Sequence, residues 1–263
     1  MSNHILFRSI STVSLVLVLV SASSYFYAEY QGYHMYQIFL KGIPNLIMMF
    51  QVVSYFLIYK AHPYASYIGI SLLLCTFGDI FLDFYTSNAP NSHYMFFVVG
   101  GICFVLARIT MIVAFTKYPY CSSDSYKMIY NIKKTLILAF IILGLEIMLA
   151  SYLFVFLYCR LIYLVLIYTI IMALQLFFSL IRVGGFIGES KKSQILAVFG
   201  TILFNLSDIM LFVNIFGEFR YAINIISLSA YWLGLYLITI SIVRVKNDDF
   251  EKHGILLSFP YSL

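Results

Sequence analysis

Apolar residues run along this chain in windows of about 20, the length of a membrane-crossing helix, divided by short polar or charged breaks. The windows predict eight spans: Ile10 to Ala28, Ile38 to Tyr59, Tyr67 to Tyr85, Tyr94 to Phe115, Thr135 to Leu157, Leu161 to Ile181, Gln194 to Phe216 and Ala222 to Val243. The fifth and sixth are the least sharply divided, because only Tyr158 to Arg160 interrupts an almost continuous apolar run. The first span is too long for a removable signal peptide and is expected to be a retained helix. The longest polar stretches, Lys117 to Lys134, Arg182 to Ser193 and the tail from Arg244, read as connectors and a disordered end. The expectation is an all-α integral membrane protein with one polytopic domain over residues 1–263.

Composition agrees: 62% of the 263 residues are hydrophobic, 10% are charged and mean hydropathy is +0.94, far from a soluble domain. The net charge of +5 matters through its placement rather than as a footprint for nucleic acid, which is not expected as a partner. With an inside N-terminus, 12 of the 16 basic residues fall on inside segments, leaving Lys41, Arg108, Arg160 and Arg220 elsewhere. The positive-inside bias therefore puts both termini in the cytosol, which requires an even number of spans. Cys75, Cys103, Cys121 and Cys159 have no C-x-x-C spacing and the histidines are scattered, so no disulfide framework, metal site or cofactor is expected. The acceptor triplet at Asn205 to Ser207 lies within a span, beyond the reach of glycosylation.

Carboxylates inside the spans are the exception to this pattern. "GDIFLDF" from Gly78 and "SDIMLFV" from Ser207 share a small residue, Asp, Ile and a later Leu in register. If the chain is a duplication, with halves over about 10–116 and 134–244, these are the third helices of two four-helix halves. A pseudo-twofold axis along the membrane normal would then set Asp79 and Asp208 at matching depths. A carboxylate at mid-helix costs about 2.5 to 3.5 kcal/mol on insertion scales, so each needs a reason. Either it lines a cavity or it makes a structural hydrogen bond between helices. Asp83, near the span end, reads as a solvated rim residue. Arg108 and Glu146 are expected to pair with each other or with an aspartate. Lys41, in "LKGIPNL", either snorkels to the interface or holds a phosphate or a carboxylate, and Pro44 kinks or starts its helix.

In order, "LKGIPNL" at Leu40 to Leu46, "AHPYASYIGISLLLCTFGDIFL" at Ala61 to Leu82 and "FGTILFNLSDIMLFVNIF" at Phe199 to Phe216 resemble the YhhN-like membrane proteins, which include the lysoplasmalogenases. That family's elements fall on Lys41 with Pro44, on Gly78 with Asp79 and Leu82, and on Ser207 with Asp208, Leu211 and Asn214. The resemblance implies an eight-helix enzyme that hydrolyses the vinyl ether bond of a lysoplasmalogen, releasing a fatty aldehyde and a glycerophospho-base. It also implies Asp79 and Asp208 as catalytic residues, Lys41, Asn214 and Tyr231 as substrate contacts, a lysophospholipid substrate in membrane lipid, and residence in the endoplasmic reticulum. The chain departs from the family at Arg108 and Met111, where a histidine and a tyrosine are frequent, and at Leu235, where a glutamine is usual.

Two carboxyls suit that reaction. A vinyl ether is labile to acid, and protonating its outer carbon gives an oxocarbenium ion that water captures. Burial disfavours a carboxylate charge, so one acid can keep its proton and donate it, while a second, held charged by a basic neighbour, steadies the cation, as in glycosidases. Because Lys41 belongs to the same half as Asp79, Asp79 is the expected charged partner and Asp208 the expected acid. The rival readings are a proton-coupled transporter or channel, which also uses intramembrane carboxylates, and a catalytically silent lysolipid-binding relative.

Overall fold

The computed structural model describes residues 3–59, 63–87, 94–116, 162–182, 191–216 and 221–243, with 136, 137, 140, 141 and 144. Seven helices fill these ranges: α1 (Asn3–Tyr30), α2 (His34–Tyr59), α3 (Pro63–Ser87), α4 (Tyr94–Thr116), α5 (Ile162–Ile181), α6 (Lys191–Phe216) and α7 (Tyr221–Val243). Six are long and apolar enough to cross a membrane, and α5 contributes a shorter apolar stretch, Val165–Ile181. The protein is an all-helical, multi-pass membrane protein. Most of the fifth expected span, with Glu146, lies outside the described residues; Leu136, Ile137, Phe140, Ile141 and Gly144 within it are helical. Arg220 and the tail lie outside them too.

The helices start and stop where the sequence lets them. Between α1 and α2 the chain turns within Gln31 to Tyr33, and Gly32 takes φ +72°, a left-handed conformation that glycine enters without steric cost. Helix α2 begins at His34, four residues before its apolar window, so Pro44 lies inside it rather than at its start.

Neighbouring helices run antiparallel, as their cross-contacts show: Lys41 meets Asp83 and Asn45 meets Asp79 between α2 and α3, and Glu29 meets Asn224 while Ser11 meets Tyr236 between α1 and α7. Small residues let two crossings close tightly. Between α6 and α7, a Cβ on Gly200 would lie 2.6 Å from the Gly234 carbonyl oxygen, and Ser227 Oγ donates to the Ser207 carbonyl at 2.8 Å. Between α3 and α4, a Cβ on Gly100 would lie 3.2 Å from the Gly78 carbonyl oxygen, and Ser71 Oγ donates to the Ala107 carbonyl at 2.8 Å. Val13, Val16, Leu19 and Val20 on α1 are exposed, as befits a helix whose solvent on that side is lipid.

Towards one end of the bundle, polar side chains tie the helices together. Tyr64 OH and Ser241 Oγ lie 2.8 Å apart, Ser193 Oγ donates to the Ser241 carbonyl at 2.6 Å, and the Arg182 guanidinium lies 4.2 Å from the Tyr64 ring centroid. Arg182, expected in a polar loop, is instead fully buried; its stem and planar head cover the aromatic rings at the junction of α3, α4 and α5.

Candidate active site

Both aspartates of the matched motifs are buried, 2% exposed at Asp79 and 4% at Asp208, and both face other helices rather than lipid. Their surroundings differ. Asp79 Oδ2 accepts from Asn45 Nδ2 at 2.7 Å and from Tyr231 OH at 2.8 Å, while Asn45 Nδ2 also donates to Tyr231 OH at 2.9 Å. All of its donors here are neutral. One turn further along both helices, Lys41 Nζ donates to Asp83 Oδ1 at 2.6 Å.

Asp208 has a cation for a partner. Arg108 Nη2 and Tyr168 OH both donate to Asp208 Oδ2. The guanidinium spends its remaining donors nearby: Nε on Tyr168 OH at 2.9 Å, and Nη1 on Asn205 Oδ1 at 2.7 Å and on Gln175 Oε1. Its carbon also lies 4.0 Å from the Phe204 ring centroid. Arg108 is fully buried, and this set of partners is what makes a charge tolerable there, since a lone buried ion is prohibitively costly.

A narrow apolar cleft of about 500 Å³, counted with its open mouth, lies between α3, α4, α5 and α6. Leu82, Phe97, Phe104 and Phe212 wall it, and Asp208 and Tyr168 are also among its lining residues. Asp79 is not among its lining residues. Phe104 stands between: a Cβ on Gly78 would lie 2.6 Å from the Phe104 ring, and that ring meets Tyr231 edge-on with centroids 6.2 Å apart.

The model of the YhhN family matches residues 36–242, from α2 to α7. The chain belongs to the YhhN family. Comparisons with curated proteins and with solved structures find no match.

Against that membership, the positions expected to act fall into groups. Asp79, Tyr231 and the unforeseen Asn45 form one hydrogen-bonded set, and Asp208, Arg108 and the unforeseen Tyr168 another. Asn214 is buried on α6 but is not among the residues that line the cleft. Three expectations need correction. Lys41 pairs with Asp83 rather than Asp79, because antiparallel α2 and α3 bring Lys41 opposite the later aspartate. Asp83 is therefore buried in an ion pair and is not a solvated rim residue. The basic neighbour expected at Asp79 is found at Asp208, whose carboxyl pairs with Arg108.

The missed residues left a signal. Asn45 follows Lys41 by one turn just as Asp83 follows Asp79, so two facing polar pairs were already written at helical spacing. Tyr168, Met172, Gln175 and Ser179 form a buried stripe on one face of α5, visible as polar atoms recurring in an otherwise apolar run.

Proposed function

We propose that this YhhN chain hydrolyses the vinyl ether bond of a lysoplasmalogen, with Asp79 as the acid and Asp208 as the charged partner. The observation that carries the reading is the contrast between the two carboxyls: neutral donors at Asp79, a guanidinium at Asp208, and an apolar cleft against the second. The lipid tail lies in the cleft with its ether oxygen towards Asp208. Phe104 has to turn aside for the double bond to meet Asp79.

The Asp79 carboxyl then gives its proton to the outer vinyl carbon, whose π pair forms the new C–H bond and leaves an oxocarbenium ion facing the Asp208 carboxylate. Water adds to the cationic carbon and returns a proton to Asp79. The hemiacetal breaks its bond to the glycerol oxygen, which takes the hydroxyl proton, and aldehyde and glycerophospho-base leave. One water is consumed and the acid is restored.

The eight-span, duplicated architecture belongs to the same proposal. Ser71, Gly78 and Asp79 stand along α3 at the spacings of Gly200, Ser207 and Asp208 along α6, and Gly100, Phe104 and Ala107 stand along α4 as Ser227, Tyr231 and Gly234 do along α7. Asp79 takes donors from α2 and α7, Asp208 from α5 and α4, which are the helices a twofold axis would exchange. Both termini face the cytosol, from the basic bias, and the membrane is that of the endoplasmic reticulum.

Purified protein is incubated with ether-linked and ester-linked lysolipids and free aldehyde is measured. Aldehyde is expected from the vinyl ether lipid alone, falling at least a hundredfold in Asp79→Asn and in Asp208→Asn, in line with loss of a general acid or an electrostatic partner. Either variant working near the wild-type rate sinks the two-carboxyl mechanism. Lysolipid binding without aldehyde favours the silent relative, and ion flux in liposomes favours a transporter.

A further inference from the structure

Buried polar side-chain atoms nearly always find a partner in protein or in ordered water. Four that have no protein partner lie together along the seam where α1, α2 and α7 face one another: Glu29 Oε2, Asn45 Oδ1, Gln51 Oε1 and Trp232 Nε1. Asn45 and Gln51 are 0% and 2% exposed, and each such atom left dry costs about 1 to 3 kcal/mol. The seam is polar along much of its length. At its mouth Asn224 Nδ2 donates to Glu29 Oε1 at 2.5 Å beside the Lys41–Asp83 pair. Next come Asn45, Tyr231 and Asp79. Deeper still, Gln51 Nε2 donates to Ser11 Oγ at 3.4 Å and Tyr236 OH to the Ser11 carbonyl at 3.1 Å. From Lys41 to Gln51 this is about 15 Å of helix at 1.5 Å per residue. Beyond it, Tyr64 meets Ser241 and Arg182.

We infer that this seam binds a file of water molecules, admitted at the Glu29–Lys41–Asp83 mouth and ending at Gln51, and that it is the water supply of Asp79. The inference rests on the hydrolase reading for its use, though not for its existence. Hydrolysis consumes one water for each vinyl ether bond, and the cleft beside Asp208, walled by aromatic and aliphatic side chains, brings none with the lipid. Lipid and water thus approach the two carboxyls from different sides. The unpaired Asn45 oxygen, on the residue that already holds Asp79, accepts a hydrogen bond from the last water before the acid.

Radiolytic hydroxyl labelling of the intact protein in lipid nanodiscs tests this, because radicals formed from bound water oxidise the side chains beside it. Met48, between Asn45 and Gln51 on α2, is 0% exposed, as is Met111 on α4, and Met172 on α5 is 2% exposed. Met48 is expected to oxidise at least fivefold faster than Met111 and Met172, and Gln51→Leu is expected to remove most of that excess. Equal rates at the three methionines overturn the inference, whether or not aldehyde is released. Fast Met48 labelling in a protein that releases no aldehyde leaves the hydrated seam standing and removes the hydrolase reading.

Discussion

Arg108→Met removes four hydrogen bonds and two ring contacts at once, yet its main effect should come from what it leaves behind. Asp208 then stays buried with Tyr168 as its donor and no cation. Breaking a buried pair from one side costs about 3 to 5 kcal/mol, because the surviving charge keeps its desolvation penalty. Asp208→Asn should cost a similar amount by stranding a guanidinium with no accessible surface. The double variant carries neither charge. It loses the guanidinium's charge-assisted hydrogen bonds to Tyr168, Gln175 and Asn205 but strands no charge, so it is expected to be destabilised by no more than either single variant, about 3 to 5 kcal/mol. Independent sites would instead give a sum of about 6 to 10 kcal/mol. The assay is denaturant unfolding in mixed micelles, read by fluorescence of Trp232, the single tryptophan, which is buried against Tyr25 and Phe26. A double variant as unstable as the sum of the singles would refute the reasoning, since it would mean that Arg108 and Asp208 do not answer each other's charge.

Two further outcomes follow from the packing. Lys41→Met should destabilise by about 3 to 5 kcal/mol by taking the cation from the buried Asp83 carboxylate and Lys41→Met with Asp83→Asn should recover most of it, measured by the same unfolding titration; a loss under about 1 kcal/mol would mark Lys41 as a surface lysine instead. Gly234→Ala should cost about 1 to 3 kcal/mol, because its Cβ would lie 2.7 Å from the Gly200 carbonyl oxygen and 2.9 Å from the Phe204 amide nitrogen, backbone atoms that cannot swing away. Gly69→Ala, whose Cβ would meet only Val52 Cγ1 at 3.5 Å, should leave stability unchanged or raised, and equal losses at both glycines would contradict the crossing.

The sequence alone was enough for the solvent, for the spans that fall on the described residues and for the burial of Asp79 and Asp208. Windows of about 20 apolar residues have few other stable homes, and a carboxylate inside one must face protein, so the aspartates of the two small-Asp-Ile motifs had to point inward. Even the pairing of polar rows on α2 and α3 was written at one-turn spacing. What the sequence left open was the match between partners, and there it misled: it offered Lys41 to Asp79 and gave Tyr168 no role. It took the folded bundle to bring Lys41 to Asp83 and Arg108 from α4 to Asp208, and to set the cleft against one acid and not the other. The physical reason is range. Insertion into lipid is a property of each segment and can be summed along the chain, whereas a buried charge is settled by atoms within about 3 Å, and which atoms come so close depends on helix order, rotation and depth together.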